Sequence, residues 1–283
     1  MDTKDKTVPI TGGDPAKRVV FFGGEISQYY ENHLGSFVFE SFAVDLTSRI
    51  DWTGVGEILE LACGSGRLTR HILEQLPPTV VFTATDLNED MIGVAKDKVP
   101  SDRVRWAPAD MQDLPFKGES FDLIVCQFGI MLVPDQEKAL AEIFRVLRPG
   151  GKVLFSTWTD LHYNRLWEIG STVIKSIVGI SPIERNPGPF ALGDEPAVED
   201  MLTKAGFGDI QGTVVTNTGE IESAERAAFG FIYGLPISLF IEKEKPGVLQ
   251  TILRIMEEQL RAELGDHPLR VPQKALVVEA TKK

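Results

Sequence analysis

The strongest constraint on the fold is an alternation of short apolar strands and amphipathic helices in the middle of the chain. Five segments have the apolar and β-branched composition of buried strands: residues 57–62, 80–85, 104–107, 121–126 and 152–157. Helical patterns between them end at proline or glycine, as Arg67 to Leu76 ends at Pro77-Pro78. Strands that alternate with helices at this spacing predict an α/β fold with a parallel, doubly wound sheet.

Further elements flank this core, and together they predict four parts. These are an N-terminal arm with capping helices (1–53), the core sheet (54–160), helical insertions that form a lid (161–193 and 222–264), and the remaining core helix and strands (194–221 and 265–283). The chain has 283 residues, which suits one large α/β domain with additions and can bury a sizeable core without disulfides or metals.

The charge balance narrows the partners and the compartment. The chain carries 29 Lys and Arg against 41 Asp and Glu, a formal net charge of −12, and an acidic field repels phosphate backbones and anionic lipid surfaces. No run approaches the roughly 20 apolar residues that cross a bilayer, and the polar start does not resemble a signal peptide. Cys63 and Cys126 form neither a disulfide framework nor a zinc pattern. We therefore expect a cytoplasmic protein with no nucleic-acid partner and no membrane insertion.

A glycine loop connects the first strand to the first core helix, with the sequence Glu60-Leu61-Ala62-Cys63-Gly64-Ser65-Gly66. Gly64 and Gly66 would let a ligand approach the backbone where no side chain intrudes. A tight turn that needs glycine only for packing has the same pattern, so both interpretations stay open at this point.

Two acids follow the next two strands. Asp86 ends the second strand and Asp110 follows the third, so both lie at the edge where open α/β sheets bind ligands. There Asp86 can accept hydrogen bonds from both ribose hydroxyls of an adenosine. Asp110 can accept one from the adenine amine, with Leu87 and Met111 on either side of the ring. We expect the Asp86 carboxylate to face an empty cleft and to support no core.

The residues after the loop separate two kinds of nucleotide site. A dinucleotide fingerprint needs a third glycine for close helix–strand packing, and Thr69 stands at that place here. No lysine follows at the position that a phosphate-binding P-loop requires. The loop therefore favours an adenosine ligand without a pyrophosphate.

Five stretches of the chain occur in the same order in a known family. They are Ile58 to Gly66, Ala84-Thr85-Asp86, Ala109-Asp110-Met111, Phe121 to Val125 and Arg145 to Gly151. Together they resemble the class I S-adenosylmethionine-dependent methyltransferases, in particular the small-molecule branch that includes the quinone-biosynthesis enzymes. The resemblance covers residues 54–160 strongly and 194–215 and 274–280 loosely. It implies a Rossmann-like sheet of seven strands with the last strand antiparallel, and S-adenosyl-L-methionine as cofactor.

The resemblance also assigns residues to the cofactor. It implies Glu60, Ala62 and Gly64 at the methionine end, Asp86 at the ribose, Asp110 with Met111 at the adenine, and Gln127 with Phe128 near the reacting methyl. The set is completed by Gly66, Leu87 and Met91, and by Tyr30, which we expect to close over the cofactor together with Tyr29.

Two positions depart from the family pattern. Ala62 stands where the family usually has glycine, and alanine fits there if its φ is negative. The stretch from Gln127 to Met131 lacks the Asn-Pro-Pro-Tyr type of motif found in methyltransferases that act on amino groups of DNA and protein glutamine. It also lacks the carboxylates with which catechol-type enzymes hold magnesium. We therefore expect no metal site.

The added helices are rich in aromatic residues, which predicts a roomy apolar cavity and a small apolar or aromatic methyl acceptor. The acceptor-binding candidates are Tyr29, Met131, Trp158, Phe190, Phe231 and Tyr233, and each could instead pack the lid onto the core. His33 and His162 lie in segments near the expected cavity, but we assign neither as a general base and predict no catalytic residue.

Two alternative functions stay open. One is a methyltransferase that acts on RNA or protein, against which the acidic balance counts. The other is a protein that binds S-adenosylmethionine without transferring its methyl group. The sequence also leaves open the acceptor, the methylated atom (O, C or N) and the choice between monomer and homodimer.

Overall fold

Strands and helices alternate through the centre of the structure, a computed structural model that describes residues 25–186 and 188–283. The strands are β1 (Glu57–Leu61), β2 (Val81–Asp86), β3 (Val104–Pro108), β4 (Phe121–Gln127), β5 (Leu147–Trp158), β6 (Phe207–Ile221) and β7 (Leu269–Lys282). The predicted arm over residues 1–24 lies outside the described residues.

The seven strands form one sheet in the order β3-β2-β1-β4-β5-β7-β6. Strand β7 runs antiparallel to β5 and β6, and the other neighbouring pairs are parallel. The chain reverses its direction across the sheet between β1 and β4, which is the point where open α/β sheets bind ligands. The predicted Rossmann-like sheet of seven strands, with the last strand antiparallel, is confirmed.

Helices cover both faces of the sheet. They are α1 (Glu25–Tyr29), α2 (Glu40–Ser48), α3 (Arg67–Gln75), α4 (Glu89–Lys98), α5 (Gln136–Val146), α6 (Arg165–Val178), α7 (Pro182–Arg185), α8 (Glu195–Lys204), α9 (Ala224–Tyr233), α10 (Ile237–Glu244) and α11 (Leu249–Leu264). Asparagine before a helical run is a typical N-cap, and helix α4 begins after Asn88, whose side chain accepts a hydrogen bond from the Asp90 amide at 2.8 Å.

Two apolar clusters fix these helices to the sheet. Leu68 and Ile72 of α3 lie in one cluster with Ile58 and Phe82 of the sheet. Helices α5, α6, α9 and α11 contribute to the other cluster, which contains Ile143, Ile169, Phe231 and Met256. Each large side chain buried in this way contributes about 1.5–3 kcal/mol, so the added helices are part of the folded body.

The segment before β1, which we call the N-terminal segment (Glu25–Ser48), is helical throughout, but it is not a regular α-helix. A π-helix over Tyr30–Phe39 joins α1 to α2. The sequence predicts one or two amphipathic helices here and gives no sign of the wider turns. π-Helical turns are rare, and those that do occur are often found at functional sites.

Strands β6 and β7 are much longer than the sequence predicts. The predicted ranges are 210–215 and 275–280, whereas the two strands pair from Phe207 with Lys282 to Ile221 with Leu269. Because one face of β6 is largely exposed, its outer part carries alternating polar residues rather than a continuous apolar run. Helices α9, α10 and α11 are inserted between these strands.

Within the described residues, no single helix has the length and apolar character needed to cross a membrane. Helices α9 and α10 satisfy the length and composition criteria only as a pair, and they are bent by 74° relative to each other.

Candidate functional site

The glycine loop lies between β1 and α3 at the carboxyl edge of the sheet. Gly64 has a φ of +54° and Gly66 a φ of +83°, a left-handed conformation that glycine adopts without strain. A Cβ atom built on Gly66 would lie 3.0 Å from the Cβ atom of Ala95 in α4, so Gly66 also permits close packing of that helix. A Cβ atom on Gly64 would meet no atom within 4 Å, which leaves open space beside the loop.

Ala62 does not meet the condition that the sequence analysis set for it. Its φ is +51° rather than negative, in a region that costs a residue with a Cβ atom roughly 1–2 kcal/mol. The Ala62 side chain faces Gly129, where a Cβ atom would come within 2.4 Å of the Ala62 Cβ atom. The loop therefore keeps a glycine-like backbone at this position although the residue is alanine.

Asp86 ends β2, and its carboxylate accepts hydrogen bonds from one backbone amide of the glycine loop and one of the loop after β2. Its Oδ2 atom accepts a hydrogen bond from the Gly64 amide, and its Oδ1 atom accepts one from the Asn88 amide, both at 2.8 Å. Burial raises the pKa of Asp86, although these backbone amides oppose the rise. The expectation that this carboxylate faces an empty cleft and supports no core leaves out these hydrogen bonds, which tie the glycine loop to the loop after β2. Each oxygen retains capacity for a further hydrogen bond.

Glu60 lies beneath the loop and is 1% exposed. Its carboxylate accepts a hydrogen bond from the Thr69 hydroxyl at 2.6 Å. Burial raises the pKa of Glu60 to about 8, and the negative charge of Asp86 acts in the same direction, while Thr69 opposes it. The thiol of Cys63 has a raised pKa through burial and through the charges of Glu60 and Asp86, so both acids act on the same loop.

The residues predicted for the adenine end lie beyond β3. Asp110 accepts hydrogen bonds at its Oδ1 atom from the backbone amide of Gln112 at 2.8 Å and from its side chain at 3.2 Å. Met111 and Met91 are buried, whereas Leu87 is 52% exposed. The predicted sandwich of the adenine ring between Leu87 and Met111 stays a prediction.

Gln127 and Phe128, at the end of β4, contact the N-terminal segment. The Gln127 side chain donates a hydrogen bond to the Phe39 carbonyl at 2.8 Å. Phe128 has a φ of +52°, and its ring stacks on Trp158 at 3.9 Å between centroids. Phe39 lies 5.7 Å from Phe128. The N-terminal segment therefore crosses the end of β4 and packs directly on the residues predicted to face the reacting methyl.

Tyr30 lies on the same segment and stacks on Phe39 at 5.1 Å. Burial raises the pKa of its hydroxyl well above the usual value. The nearby positive charge of Arg67 opposes this rise, and the negative charges of Glu31 and Asp86 add to it. Because the charge of Asp86 raises the pKa of Tyr30, the two side chains lie near each other, and Asp86 is the residue predicted at the ribose.

The acceptor candidates fall into two groups by exposure. Met131, Trp158 and Phe231 are at most 2% exposed and pack inside the protein. The second group consists of Tyr29, Tyr233 and Phe190, which are partly exposed. Tyr29 lies 6.3 Å from Tyr233 between ring centroids, next to Phe229. The second group has surface left for an acceptor, while the role of the first group in acceptor binding stays a prediction.

A charged network that no sequence pattern predicts joins the N-terminal segment to the glycine loop. Arg67, the first residue of α3, contacts Glu31 and Glu40, and the Ser65 hydroxyl donates a hydrogen bond to Glu31 at 2.7 Å. No local pattern shows these contacts, because Glu31 lies 36 residues before Arg67. His71, which the sequence leaves without a role, contacts Glu40 at 2.9 Å.

His33 lies beside the acceptor candidate Tyr29, with 6.0 Å between the ring centroids. Its ring is 5.0 Å from Phe229, and its Nδ1 atom is buried with no hydrogen-bond partner among the described residues. Burial and the positive charge of Arg226 lower its pKa. His162 is exposed and pairs with Glu168 at 3.2 Å. Within residues 25–186 and 188–283, no group of three or more His, Cys, Asp or Glu side chains could hold a metal ion.

A separate cavity of about 310 Å³ lies at the opposite edge of the sheet. Its wall includes Asp122, Lys152 and Glu279 near the amino ends of β4 and β5. The charges there are paired, with Lys152 bound to Glu279 at 2.8 Å and Asp122 to Arg148 at 2.7 Å. This cavity is not part of the site built by the glycine loop.

Comparison with known proteins agrees with this arrangement of loop, acids and sheet. The family described as methyltransferase domain matches residues 58–151. That stretch of the chain is therefore a methyltransferase domain. The matched residues of this methyltransferase domain run from the start of β1 to the middle of β5 and include the glycine loop, Asp86 and Asp110.

Two curated relatives illustrate the similarity in sequence. The ubiquinone/menaquinone biosynthesis C-methyltransferase UbiE of Geobacter sulfurreducens is 31% identical over 152 residues, which cover 49% of this chain and 59% of that protein. The demethylmenaquinone methyltransferase of Lactococcus lactis is 28% identical over 172 residues, which cover 56% of this chain and 67% of that protein. The matched part of the chain thus spans about three-fifths of the length of the first relative.

A solved structure shows the same fold around the methyltransferase domain. Phosphoethanolamine N-methyltransferase 2 of Haemonchus contortus, in complex with S-adenosyl-L-methionine, superposes with a TM-score of 0.56 at 21% identity. The superposition covers 90% of this chain and 56% of that protein. At this identity the likeness concerns the fold alone.

Proposed function

We propose that this protein transfers a methyl group from S-adenosyl-L-methionine to a small apolar or aromatic molecule. The observation that carries the proposal is the meeting of the Gly64 amide and the Asp86 carboxylate at 2.8 Å beside open space at the carboxyl edge of the sheet. A carboxylate next to an unobstructed backbone suits an adenosine, because it accepts hydrogen bonds from ribose hydroxyls while no side chain blocks the ligand.

The other predicted cofactor residues complete this assignment. Glu60 and Ala62 would face the methionine end, Asp110 and Met111 the adenine, and Tyr30 would cover the ribose side. The raised pKa of Glu60, which burial causes, fits a site for a cationic ammonium group, since a positive partner favours the carboxylate form.

The chain's own contribution to catalysis is alignment and exclusion of water. When bound, S-adenosylmethionine supplies an electrophilic methyl group for an in-line displacement. Asp86 and the loop at Gly64 fix the donor, and the packed rings of Phe39, Phe128 and Trp158 keep water from the end of β4. Holding donor and acceptor in line accounts for much of the acceleration in such reactions. We assign no general base.

A small acceptor is supported by two features. The relatives from Geobacter and Lactococcus are named as methyltransferases of ubiquinone and menaquinone biosynthesis and of demethylmenaquinone. The partly exposed rings of Tyr29, Tyr233 and Phe190 border the added helices, which we propose as the lid over the acceptor (161–193 and 222–264).

The net charge of −12 disfavours RNA as the methyl acceptor. We also propose a cytoplasmic location, in keeping with the two free cysteines, Cys63 and Cys126.

The proposal is tested by binding and then by turnover. Calorimetric titration should show binding of S-adenosylmethionine and S-adenosylhomocysteine and none of NAD. Incubation with S-adenosylmethionine and a panel of hydroquinones and phenols should then release S-adenosylhomocysteine in an acceptor-dependent manner. Release that depends only on tRNA or peptides would favour the macromolecular alternative. Binding without release for any acceptor class would favour a non-catalytic binding protein.

A further inference from the structure

The N-terminal segment covers three parts of the proposed cofactor site at once. Glu31 accepts a hydrogen bond from Ser65 in the glycine loop at 2.7 Å. The Phe39 carbonyl accepts one from Gln127 at the end of β4 at 2.8 Å. Tyr30, next to Glu31, lies near enough to Asp86 at the end of β2 for that negative charge to raise the pKa of its hydroxyl. A ligand bound at these strand ends would therefore lie next to the segment.

One arginine, Arg67 of α3, binds this segment at two points. The Arg67 guanidinium binds Glu31 at 2.6 Å and also binds Glu40, and these two acids lie at opposite ends of the π-helix. The Arg67 side chain is only 10% exposed and that of Glu31 14%, so the hydrogen bond between them is largely shielded from water and salt. We call Arg67, Glu31, Glu40 and Ser65 the Arg67 network.

Two further features show that the segment is shaped to receive this side chain. A Cβ atom on Gly35, midway along the π-helix, would lie 2.2 Å from an Arg67 nitrogen, so glycine makes room for the guanidinium. Burial acts to raise the pKa of Glu40, but hydrogen bonds from Arg67 and His71 outweigh it and hold that pKa below its usual value. The acid at the far end of the π-helix is thus held in its charged, paired form.

We propose that Arg67 is a positioning residue that holds the N-terminal segment closed over the cofactor, and that opening of the Arg67 network sets the rate at which cofactor and product leave. This rests on the proposed function, since it assumes that S-adenosylmethionine binds at the glycine loop. Arg67 itself need not touch the ligand. It acts through Glu31 and Glu40, which carry Tyr30 and Phe39 beside them.

The experiment measures binding and release of S-adenosylhomocysteine in stopped-flow and calorimetric titrations. Arg67→Met removes the guanidinium. Gly35→Ala leaves every charge in place and displaces the guanidinium by a methyl group, which is feasible because the atom it meets is the end of a flexible side chain. Since hydrogen bonds between charged groups are strong, each variant should release S-adenosylhomocysteine about tenfold faster. Arg67→Lys should fall between wild type and Arg67→Met, because lysine keeps the charge but loses the fork.

The matched control is Arg165→Met. Arg165 also binds two glutamates, Glu168 in its own helix α6 and Glu263 in α11, but it lies away from the glycine loop. The Arg165→Met variant should have a lower melting temperature but release S-adenosylhomocysteine at the wild-type rate. Release at the wild-type rate from both Arg67→Met and Gly35→Ala would overturn the proposal, as would equal acceleration in Arg165→Met. If Arg67→Met does not fold, Gly35→Ala and Glu31→Gln decide. Failure of the wild type to bind S-adenosylhomocysteine would instead overturn the proposed function.

Discussion

Asp86 has two tasks in this structure, and its substitution separates them. Hydrogen bonds to a charged partner contribute about 1.5–3 kcal/mol, so loss of the carboxylate should weaken binding of S-adenosylmethionine about 10- to 100-fold. Because Asp86 also accepts from the Gly64 and Asn88 amides, Asp86→Ala should lower the stability of the cofactor-free protein as well. Asp86→Asn should cost less in both respects, since its amide oxygen still accepts. Calorimetric titration and urea unfolding measure the two effects. Unchanged affinity in Asp86→Ala would place the ribose elsewhere.

Ala62 offers a test of backbone strain. Its φ of +51° is unfavourable for alanine and free for glycine. We expect Ala62→Gly to raise the free energy of unfolding by up to about 1 kcal/mol, the relief of strain being partly offset by the entropy of glycine. Ala262→Gly, in the exposed part of α11, is the control and should lower it by about 1 kcal/mol. Urea unfolding measures both. A loss of stability in Ala62→Gly as large as in the control would contradict the strained conformation.

Glu60 should make stability depend on pH. Burial raises its pKa to about 8 in the folded protein, against about 4.3 in an unfolded chain. The folded state therefore binds the proton more tightly, so this contribution is fully present below the unfolded pKa and is lost as pH rises towards 8. Glu60→Gln cannot titrate, so its stability relative to wild type should increase from pH 5 to pH 8. A difference that stays constant over that range would show that Glu60 has an ordinary pKa.

At the scale of single elements, the sequence predicts what local periodicity and strand ends encode. The strands β1 to β5, the Asn88 cap of α4 and the acids at the strand ends follow from apolar runs and turn signals. The π-helix does not, because its residues have the apolar spacing of an ordinary amphipathic helix. The extra length of β6 and β7 also escapes, since it comes from pairing between strands that are separated by three helices.

The helices that we propose as the lid contain two neighbouring aromatic residues with different expected roles. Phe231 is 1% exposed and packs on Gly170 and Trp167, so Phe231→Ala should destabilise the protein by about 3–5 kcal/mol. Tyr233 is partly exposed beside Tyr29, so Tyr233→Ala should change turnover of the acceptor with little effect on stability or cofactor affinity. Thermal unfolding measures the effect on stability, and steady-state kinetics with a phenol or quinol as methyl acceptor measure the effect on turnover. Together they distinguish the two residues. Equal losses of stability would assign both residues to packing.

At the scale of the whole molecule, the candidate site is assembled from parts that are distant in sequence. The carboxyl ends of β1, β2 and β4 meet at one edge, as a doubly wound sheet requires, and this much follows from the sequence. The packing of the N-terminal segment over that edge does not follow from the sequence. Its contacts join Glu31 to Ser65 and Phe39 to Gln127, and charged or amide side chains on separate elements carry no local signal of their partner.

Cofactor choice is a property of the assembled site, and it can be measured on the intact protein. A ligand that binds only the folded state stabilises it by about 2.7 kcal/mol at a concentration 100 times its dissociation constant. For a chain of this size, that corresponds to a rise in melting temperature of about 5 °C. S-adenosylmethionine and S-adenosylhomocysteine should produce this rise, and NAD should not, because Thr69 stands where a dinucleotide site needs its third glycine. In Asp86→Ala the same rise should require about 10- to 100-fold more ligand. Stabilisation by NAD alone would reject the adenosine site without a pyrophosphate, whereas a rise that is identical in wild type and Asp86→Ala would keep the cofactor but move its ribose away from β2.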